Sequence, residues 1–547
     1  MANAEASYRR ALALAPNLAG AHNNLGSVLR DAGRIGEAEA SYRQALRIKP
    51  DFADAYLNLG NVYKDARKYA DAEINYRLAL QINPNHALAH SNLGVISVEL
   101  GRFAEAEQCY RRALELQPDS VEIHTNLGFA MVEQHRFAEA ETSFRHALQL
   151  SPDFPDAHNN LGIALREEGK LAESEASFRR ALECNPRFAA AYNNLGNLLR
   201  DVHRLQEAGA AYRHALEINP MYYDAHVNYA MALLQAGDFQ RGWKEYEYRW
   251  DGKNNESKRG FPQPMWQGEA LQGKTILLHA EQGLGDTLQF VRYAKLLAER
   301  GATVYLLVPA SLKALLAGCG GVSAVYAHGE LPLPFDFHCP MMSLPLAFKT
   351  ELSSIPAAVP YLASSPLKLA RWREILGDRT ALRVGLTWAG SPRKDQPAAH
   401  LLDRQRSIHF DRLLPLLEVP GIQYFSLQLG DEARAQMASD RNVVGNVLDY
   451  TEQLHDFEDT AALMENLDLV ISVDTSVVHL AGALGKPAWL LNRYNSCWRW
   501  LVEREDSPWY PTLRIFGQPA LGDWDSVIDQ VKAALQQLVL DAYSERA

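Results

Sequence analysis

Asn24-Leu25-Gly26 returns as Asn58-Leu59-Gly60, Asn92-Leu93-Gly94, Asn126-Leu127-Gly128, Asn160-Leu161-Gly162 and Asn194-Leu195-Gly196, then decays to Asn228-Tyr229-Ala230. The step is 34 residues each time. Prolines keep it (Pro16, Pro50, Pro84, Pro118, Pro152, Pro186, Pro220), and so do aromatics (Tyr8, Tyr42, Tyr76, Tyr110, Phe144, Phe178, Tyr212, Tyr246). A fixed period of this size marks a stack of helix pairs. Glycine costs about 1 kcal/mol inside a helix, so its return at one position of the first helix implies that the second helix comes close there. Small residues of the second helix (Ala38, Ala72, Ala106, Ala140, Ala208) permit that approach. The aromatic four residues on fills the groove between repeats, and the proline ends the pair because it cannot continue the hydrogen-bond ladder. Each pair buries its face only against its neighbours, so the array is quasi-one-dimensional and curved.

The pattern resembles the tetratricopeptide repeat, with six complete copies across residues 19–222 and a degenerate seventh to about residue 256. The resemblance implies that Asn24, Asn58, Asn92, Asn126, Asn160, Asn194 and Asn228 face a concave, peptide-binding groove. Asparagine is a mediocre helix former, and its amide can both donate to and accept from a peptide backbone without reading sequence. In this the array resembles the asparagine ladder of O-linked N-acetylglucosamine transferases, and the partner it implies is a protein or peptide. The other reading is that these amides bond only within or between neighbouring repeats. Tyr8 aligns with Tyr42, so Met1 falls inside the second helix of a repeat and is expected not to be the natural beginning.

The chain has 547 residues, 47% hydrophobic and 22% charged, with a net charge of −11. That balance is ordinary for a globular protein and argues against nucleic acid or an anionic membrane as the main partner. No run of apolar residues is long enough to span a membrane, and the N-terminus lacks the basic start and apolar core of a signal peptide. Cys109, Cys184, Cys319, Cys339 and Cys497 are scattered without a CxxC pair, which fits reduced thiols in a cytoplasm.

All ten tryptophans lie from Trp243 onward, a shift that marks a new domain. Strands are expected at residues 275–280, 303–308, 384–388, 423–427, 467–473 and 487–491. Helices are expected at 286–300, 311–318, 410–417, 460–466, 476–484 and 524–538. Alternating β and α with apolar strands implies parallel sheets. The proline-rich stretch 331–366 separates two Rossmann-like units. The expected organisation is an α solenoid over residues 1–256, then α/β domains over 257–375 and 376–547.

Ligands of such sheets bind at the carboxyl ends of strands. After the first strand comes Glu281-Gln282-Gly283-Leu284-Gly285-Asp286, where Gly283 and Gly285 allow a close backbone approach and Asp286 opens a helix. The third glycine of a dinucleotide fingerprint is missing. After the strand at 467–473 comes Asp474-Thr475-Ser476-Val477-Val478-His479-Leu480-Ala481-Gly482-Ala483-Leu484-Gly485-Lys486-Pro487. Asp474, Thr475 and Ser476 offer N-cap oxygens and free N–H groups for an anion, with His479 one turn on. A Ser/His/Asp hydrolase is excluded, because no GxSxG elbow exists and three such residues at one helix start cannot form the relay.

Together these residues resemble the heptosyltransferase-like glycosyltransferases (glycosyltransferase family 9), of two-domain GT-B fold, over roughly residues 270–540. The 474–487 segment is similar to the family's D-T-G-x-x-H-L-x-x-A-L-x-x-P motif, with Ser476 in place of glycine. Gly285-Asp286 stands where the family has its proposed catalytic aspartate. Thr387, Ser391, Arg393, Lys394, Arg406 and Ser407 occupy the region that touches the donor pyrophosphate, although the family's Lys-x-Trp-Pro is absent. The resemblance implies transfer from a nucleoside-diphosphate sugar, with Asp286 as base and no metal or further cofactor. The aromatics Trp489, Tyr494, Trp498, Trp500, Trp509 and Tyr510 are expected mainly in packing. The rival reading is a repeat scaffold whose transferase-like domain is inactive.

Overall fold

A computed structural model of the chain describes residues 2–252, 260–391, 403–438 and 447–544. It forms two compact units, Met1–Leu198 and Leu199–Ala547.

The first unit is a run of antiparallel helix pairs, such as Ala87–Glu99 with Phe103–Leu116 and Val121–Val132 with Phe137–Leu150. The recurrent glycine has a direct steric cause. A Cβ built on Gly26, Gly60, Gly94, Gly128 or Gly162 would lie 2.5–2.6 Å from the ring of Tyr42, Tyr76, Tyr110, Phe144 or Phe178. The aromatic therefore lies on the glycine of its own repeat, and those rings are wholly buried or nearly so. Gly94→Val should lower stability by about 1–3 kcal/mol, the usual cost of overpacking. Thermal unfolding followed by circular dichroism checks this, and an unchanged midpoint would refute the steric account.

Two further features keep the step. His22, His90, His124 and His158 each meet the carbonyl of the turn proline six residues back (Pro16, Pro84, Pro118, Pro152) through Nε2 at 2.8–2.9 Å. Ion pairs cross between repeats as Arg34–Glu5, Arg102–Glu73, Arg136–Glu107 and Lys170–Glu141. Half-exposed pairs of this kind contribute little to stability individually.

Three of the ladder amides donate to other asparagines of the preceding repeat. Asn58 Nδ2 donates to Asn23 Oδ1 (3.0 Å), Asn92 Nδ2 to Asn61 Oδ1 (2.8 Å) and Asn194 Nδ2 to Asn159 Oδ1 (2.9 Å). Asn160 accepts from Asn159 at 3.1 Å. Asn24 is exposed, and Asn58, Asn92, Asn126, Asn160 and Asn194 are half-buried, as is Asn228 in the second unit.

The second unit opens with the helices Leu205–Ile218, Tyr223–Gln235 and Phe239–Tyr246, and continues into two parallel sheets. One apolar core joins them: Leu234, Phe239, Trp243 and Tyr246 pack with strand residues such as Ile276 and Leu278 and with Trp498 and Trp509. The first sheet has the order β3-β2-β1-β4, from β1 (Thr275–His279), β2 (Thr303–Val308), β3 (Val322–Ala327) and β4 (Phe337–Pro340). The second has the order β10-β9-β8-β5-β6-β7, from β5 (Leu382–Thr387), β6 (Ile422–Ser426), β7 (Val447–Asp449), β8 (Leu469–Val473), β9 (Ala488–Asn492) and β10 (Leu513–Gly517). Strand β8 is buried throughout, which is why it reads as a continuous apolar run.

Four strands are additional to those expected, and the expected helix at 286–300 is two helices, Leu284–Phe290 and Tyr293–Glu299. The break turns Arg292 inward, where it donates to the carbonyls of Gln289 (2.7 Å) and Trp509 (2.7 Å). The expected helix at 410–417 is a 3-10 turn, Phe410–Leu413, followed by a short helix with proline in its first turn. Among the described residues no helix is long and apolar enough to cross a membrane.

Candidate active site

Each sheet has one point where the strand order reverses, between β1 and β4 and between β5 and β8. Crevices at the carboxyl ends of strands open at such points. The two sequence motifs lie at these places.

Beyond β1, Gly283 caps helix Leu284–Phe290, and Asp286 Oδ2 accepts from the Gly283 N–H at 3.0 Å. Asp286 Oδ1 accepts from Arg499 Nη2, forming an ion pair in which the Asp286 side chain is 18% exposed. Arg499 also donates to Gln289 Oε1 (2.9 Å) and Cys497 Sγ (3.0 Å), and stacks on Trp498. Arg499 comes from the far side of β9, so the ion pair joins the two α/β halves. Beside it, Glu281 pairs with Arg249, and Gln282 Nε2 donates to Tyr246 Oη at 2.8 Å.

Across the second crevice β5 and β8 are neighbours in register, Thr387 opposite Ser472. Thr475 caps helix Ser476–Ala483, its Oγ1 accepting from Val477 N at 3.3 Å. Arg406 ties the two strand ends together. Its guanidinium donates to the Asp474 carbonyl (2.8 Å), pairs with Asp403 (2.5 Å) and lies against Gly390, where a Cβ would sit 2.8 Å from it. Ser407 Oγ accepts from Gly390 N (3.1 Å) and donates to the Asp403 carbonyl (2.5 Å). Gln428 holds the same loop, its Oε1 accepting from Trp388 N and Ala389 N. Ser391, at the end of this loop, is exposed. Arg393 and Lys394 lie outside the described residues.

Several buried polar atoms here have no partner among the described residues: Thr387 Oγ1, Arg406 Nε, Asn492 Oδ1 and Arg493 Nε. They cluster at the carboxyl ends of β5 and β9 and beside Asp474. Buried polar atoms are nearly always satisfied, so these four are the atoms here through which a polar ligand could be held.

His479 sits where the two halves meet. It is 5% exposed, its Nδ1 is 2.9 Å from Tyr510 Oη, and its ring stacks over Trp500. A Cβ on Gly285 would lie 2.7 Å from His479 Cδ2, so the close approach that this glycine allows is to His479. Burial first, then the guanidiniums of Arg499, Arg292 and Arg406, holds His479 well below the usual value of 6.5. The folded imidazole is therefore neutral. As pH falls below 6.5 the unfolded chain binds a proton that the folded chain refuses. Stability from this group is thus complete above that value and declines below it, by up to about 1.4 kcal/mol per pH unit. His479→Gln should flatten the acid limb of a stability–pH curve measured by urea unfolding. An unchanged slope would show that His479 is not the group responsible.

The structure brings together Asp286, Gly283 and Gly285 on one side and Thr387, Ser391, Arg406, Ser407, Asp474, Thr475, Ser476 and His479 on the other. Trp498, Trp500, Trp509 and Tyr510 are buried, in keeping with packing. Sequence reasoning missed Arg499, Gln428, Asp403 and Arg493. Only Arg499 carried a signal, as a cation enclosed by Trp498 and Trp500.

The architecture is a helical solenoid of tetratricopeptide type followed by two motif-bearing parallel sheets, an arrangement consistent with a GT-B-like fold. Residues 395–500 match glycosyltransferase family 9 (heptosyltransferase), and residues 2–232 match the cilia and flagella-associated protein 70 C-terminal domain. The N-terminal region thus matches a tetratricopeptide-type model, and part of the second α/β region matches a glycosyltransferase family 9 model. Protein FlbA of Caulobacter vibrioides is 27% identical over 332 residues, 56% of this chain and 54% of that protein, so the chain spans about half the length of this curated relative. Among solved structures, YrrB, described as a TPR protein with an unusual peptide-binding site, is 23% identical and covers 34% of this chain and 95% of its own, with a TM-score of 0.29. PilF of Pseudomonas aeruginosa is 22% identical, covering 38% and 94% (TM-score 0.34). A tetratricopeptide repeat protein from Parabacteroides merdae is 21% identical, covering 44% and 94% (TM-score 0.39).

Proposed function

We propose that the chain moves a sugar from a nucleoside-diphosphate sugar to an acceptor hydroxyl, with inversion and without a metal, and that the repeats hold a protein or peptide as acceptor. The observation that carries this reading is the meeting of the Asp286 loop with the 474–479 motif through Gly285 and His479. One crevice supplies a carboxylate and the other a helix start with guanidiniums. A displacement at a diphosphate-bearing carbon needs both.

In the step, Asp286 takes the proton of the acceptor hydroxyl, and that oxygen forms the new bond to the anomeric carbon. The bond from that carbon to the diphosphate oxygen breaks, and the nucleoside diphosphate leaves with its electron pair. A carboxylate has lone pairs beyond those given to Gly283 and Arg499, so Asp286 can still receive a proton. The free N–H groups at Thr475 and Ser476, with Arg406 and Arg493, meet the departing diphosphate. Thr387, Ser391, Ser407 and Asp474 line its approach, and neutral His479 adds a hydrogen-bonding edge without charge. The free thiols fit a cytoplasmic setting.

Titration calorimetry with uridine, adenosine and guanosine diphosphates in the presence of EDTA tests the donor site. At least one should bind, and binding by none would remove the nucleotide-sugar reading. Mass spectrometry of cellular proteins with and without the gene separates a protein acceptor from a lipid or polysaccharide one.

A further inference from the structure

Beyond β9 the chain runs through residues 493–500 and delivers Arg499 to Asp286. The regular structure in this stretch is the short 3-10 turn Trp498–Trp500. The last repeats fix its path. His203 Nε2 hydrogen-bonds the Tyr494 carbonyl at 2.8 Å, and the His203 ring stacks on Tyr494 with centroids 4.7 Å apart. Gln235 Nε2 donates to the Ser496 carbonyl at 3.3 Å. Trp243 meets Trp498 edge-on at 5.2 Å. From the sheet side, Gln518 Oε1 accepts from Tyr494 N at 2.9 Å.

Two carbonyls, two residues apart, are thus pinned by side chains of the repeats immediately before the turn that carries Arg499. The guanidinium can reach Asp286 only if the turn leaves in the right direction, because Arg499 is spent on three short contacts at once, to Asp286, Gln289 and Cys497. A small rotation of the turn breaks the contacts to Asp286 and Gln289 together, while Cys497 moves with it.

We propose that His203 and Gln235 are positioning residues for glycosyl transfer: they hold the 494–496 backbone so that Arg499 meets and orients Asp286. The last repeats are then part of the catalytic apparatus and not only a holder of the acceptor. The proposal rests on the reading of Asp286 as the base.

The test uses the full chain with His203→Ala, Gln235→Glu and the conservative His203→Gln, which keeps a side-chain donor. Hydrogen exchange should quicken about tenfold over residues 493–501 in the first two variants, with residues 470–484 unchanged. His203→Gln should restore the protection. Turnover is read with whichever UDP-, GDP- or ADP-hexose the native chain uses. The kcat should fall about 10- to 100-fold, the scale of a misplaced catalytic group, with the donor KM within about twofold. Combining His203→Ala with Arg499→Lys should cost little more than Arg499→Lys alone, because residues that act through one contact are not additive. Unchanged exchange at 493–501, or a loosened turn with unchanged kcat, overturns the proposal, as does additivity of the two substitutions. Full transfer by Asp286→Asn overturns the base assignment instead, and leaves the exchange result standing.

Discussion

Asp286→Ala will lose about 10²–10⁴-fold in transfer rate, the range that a positioned general base supplies, while keeping its affinity for the nucleoside diphosphate. The separation follows from the geometry. Asp286 belongs to the crevice beside β1, whereas the helix start at Thr475 and Ser476 belongs to the crevice between β5 and β8. The substitution also removes the acceptor of the Gly283 N–H and the carboxylate that pairs with Arg499, so the variant should lose stability too, and rate and affinity are compared well below its unfolding midpoint. Steady-state rates and calorimetric affinities on the same preparation check the result. Undiminished turnover would take the base role away from this residue, and a matching loss of nucleotide affinity would mean that the two crevices are not independent.

Arg499→Met should strongly destabilise the α/β half. Arg499 is 8% exposed, and burial, the largest single influence, would depress its charge, yet Asp286 together with Cys497 and Tyr246 outweighs it and holds the guanidinium above its ordinary range. Methionine fills similar space but leaves the Asp286 carboxylate and Gln289 Oε1 without their donor. Breaking a buried pair from one side costs roughly 3–5 kcal/mol. The partial exposure of Asp286 sets the expectation at the low end of that range. The shift should appear in the urea midpoint with an unchanged slope, and added salt should not reproduce it, because buried pairs are weakly screened. Arg499→Lys keeps the charge but not the planar fork and should fall between. Equal stability of Arg499→Met and the parent would refute the view that this pair holds the halves together.

The central strands were legible because they are buried on both faces: β1, β2, β5, β6, β8 and β9 all read as apolar runs. The strands that escaped notice, β3, β4, β7 and β10, are the edges of the two sheets. An edge strand needs less apolar surface and tolerates what a central one does not. Accordingly β4 contains His338 and Pro340, β7 is three residues long, and β10 alternates with Arg514. The site was legible in the same uneven way. Motifs confined to one loop, such as 281–286 and 474–487, stand out in sequence. Arg499 meets Asp286 across 213 positions of chain, and nothing local to either residue records the other. His479 illustrates the converse: its place in the motif pointed to the donor, and its contacts with Tyr510, Trp500 and Gly285 make it a joint between the halves as well.

The asparagines of the repeats have one more consequence. Because Asn58, Asn92 and Asn194 each donate to the repeat before them, their amides are held in one orientation, and that bond uses only part of what a side-chain amide can donate and accept. Side chains ordered in this way lose little further rotamer freedom on meeting another polar group, so the cost of ordering them is met within the array.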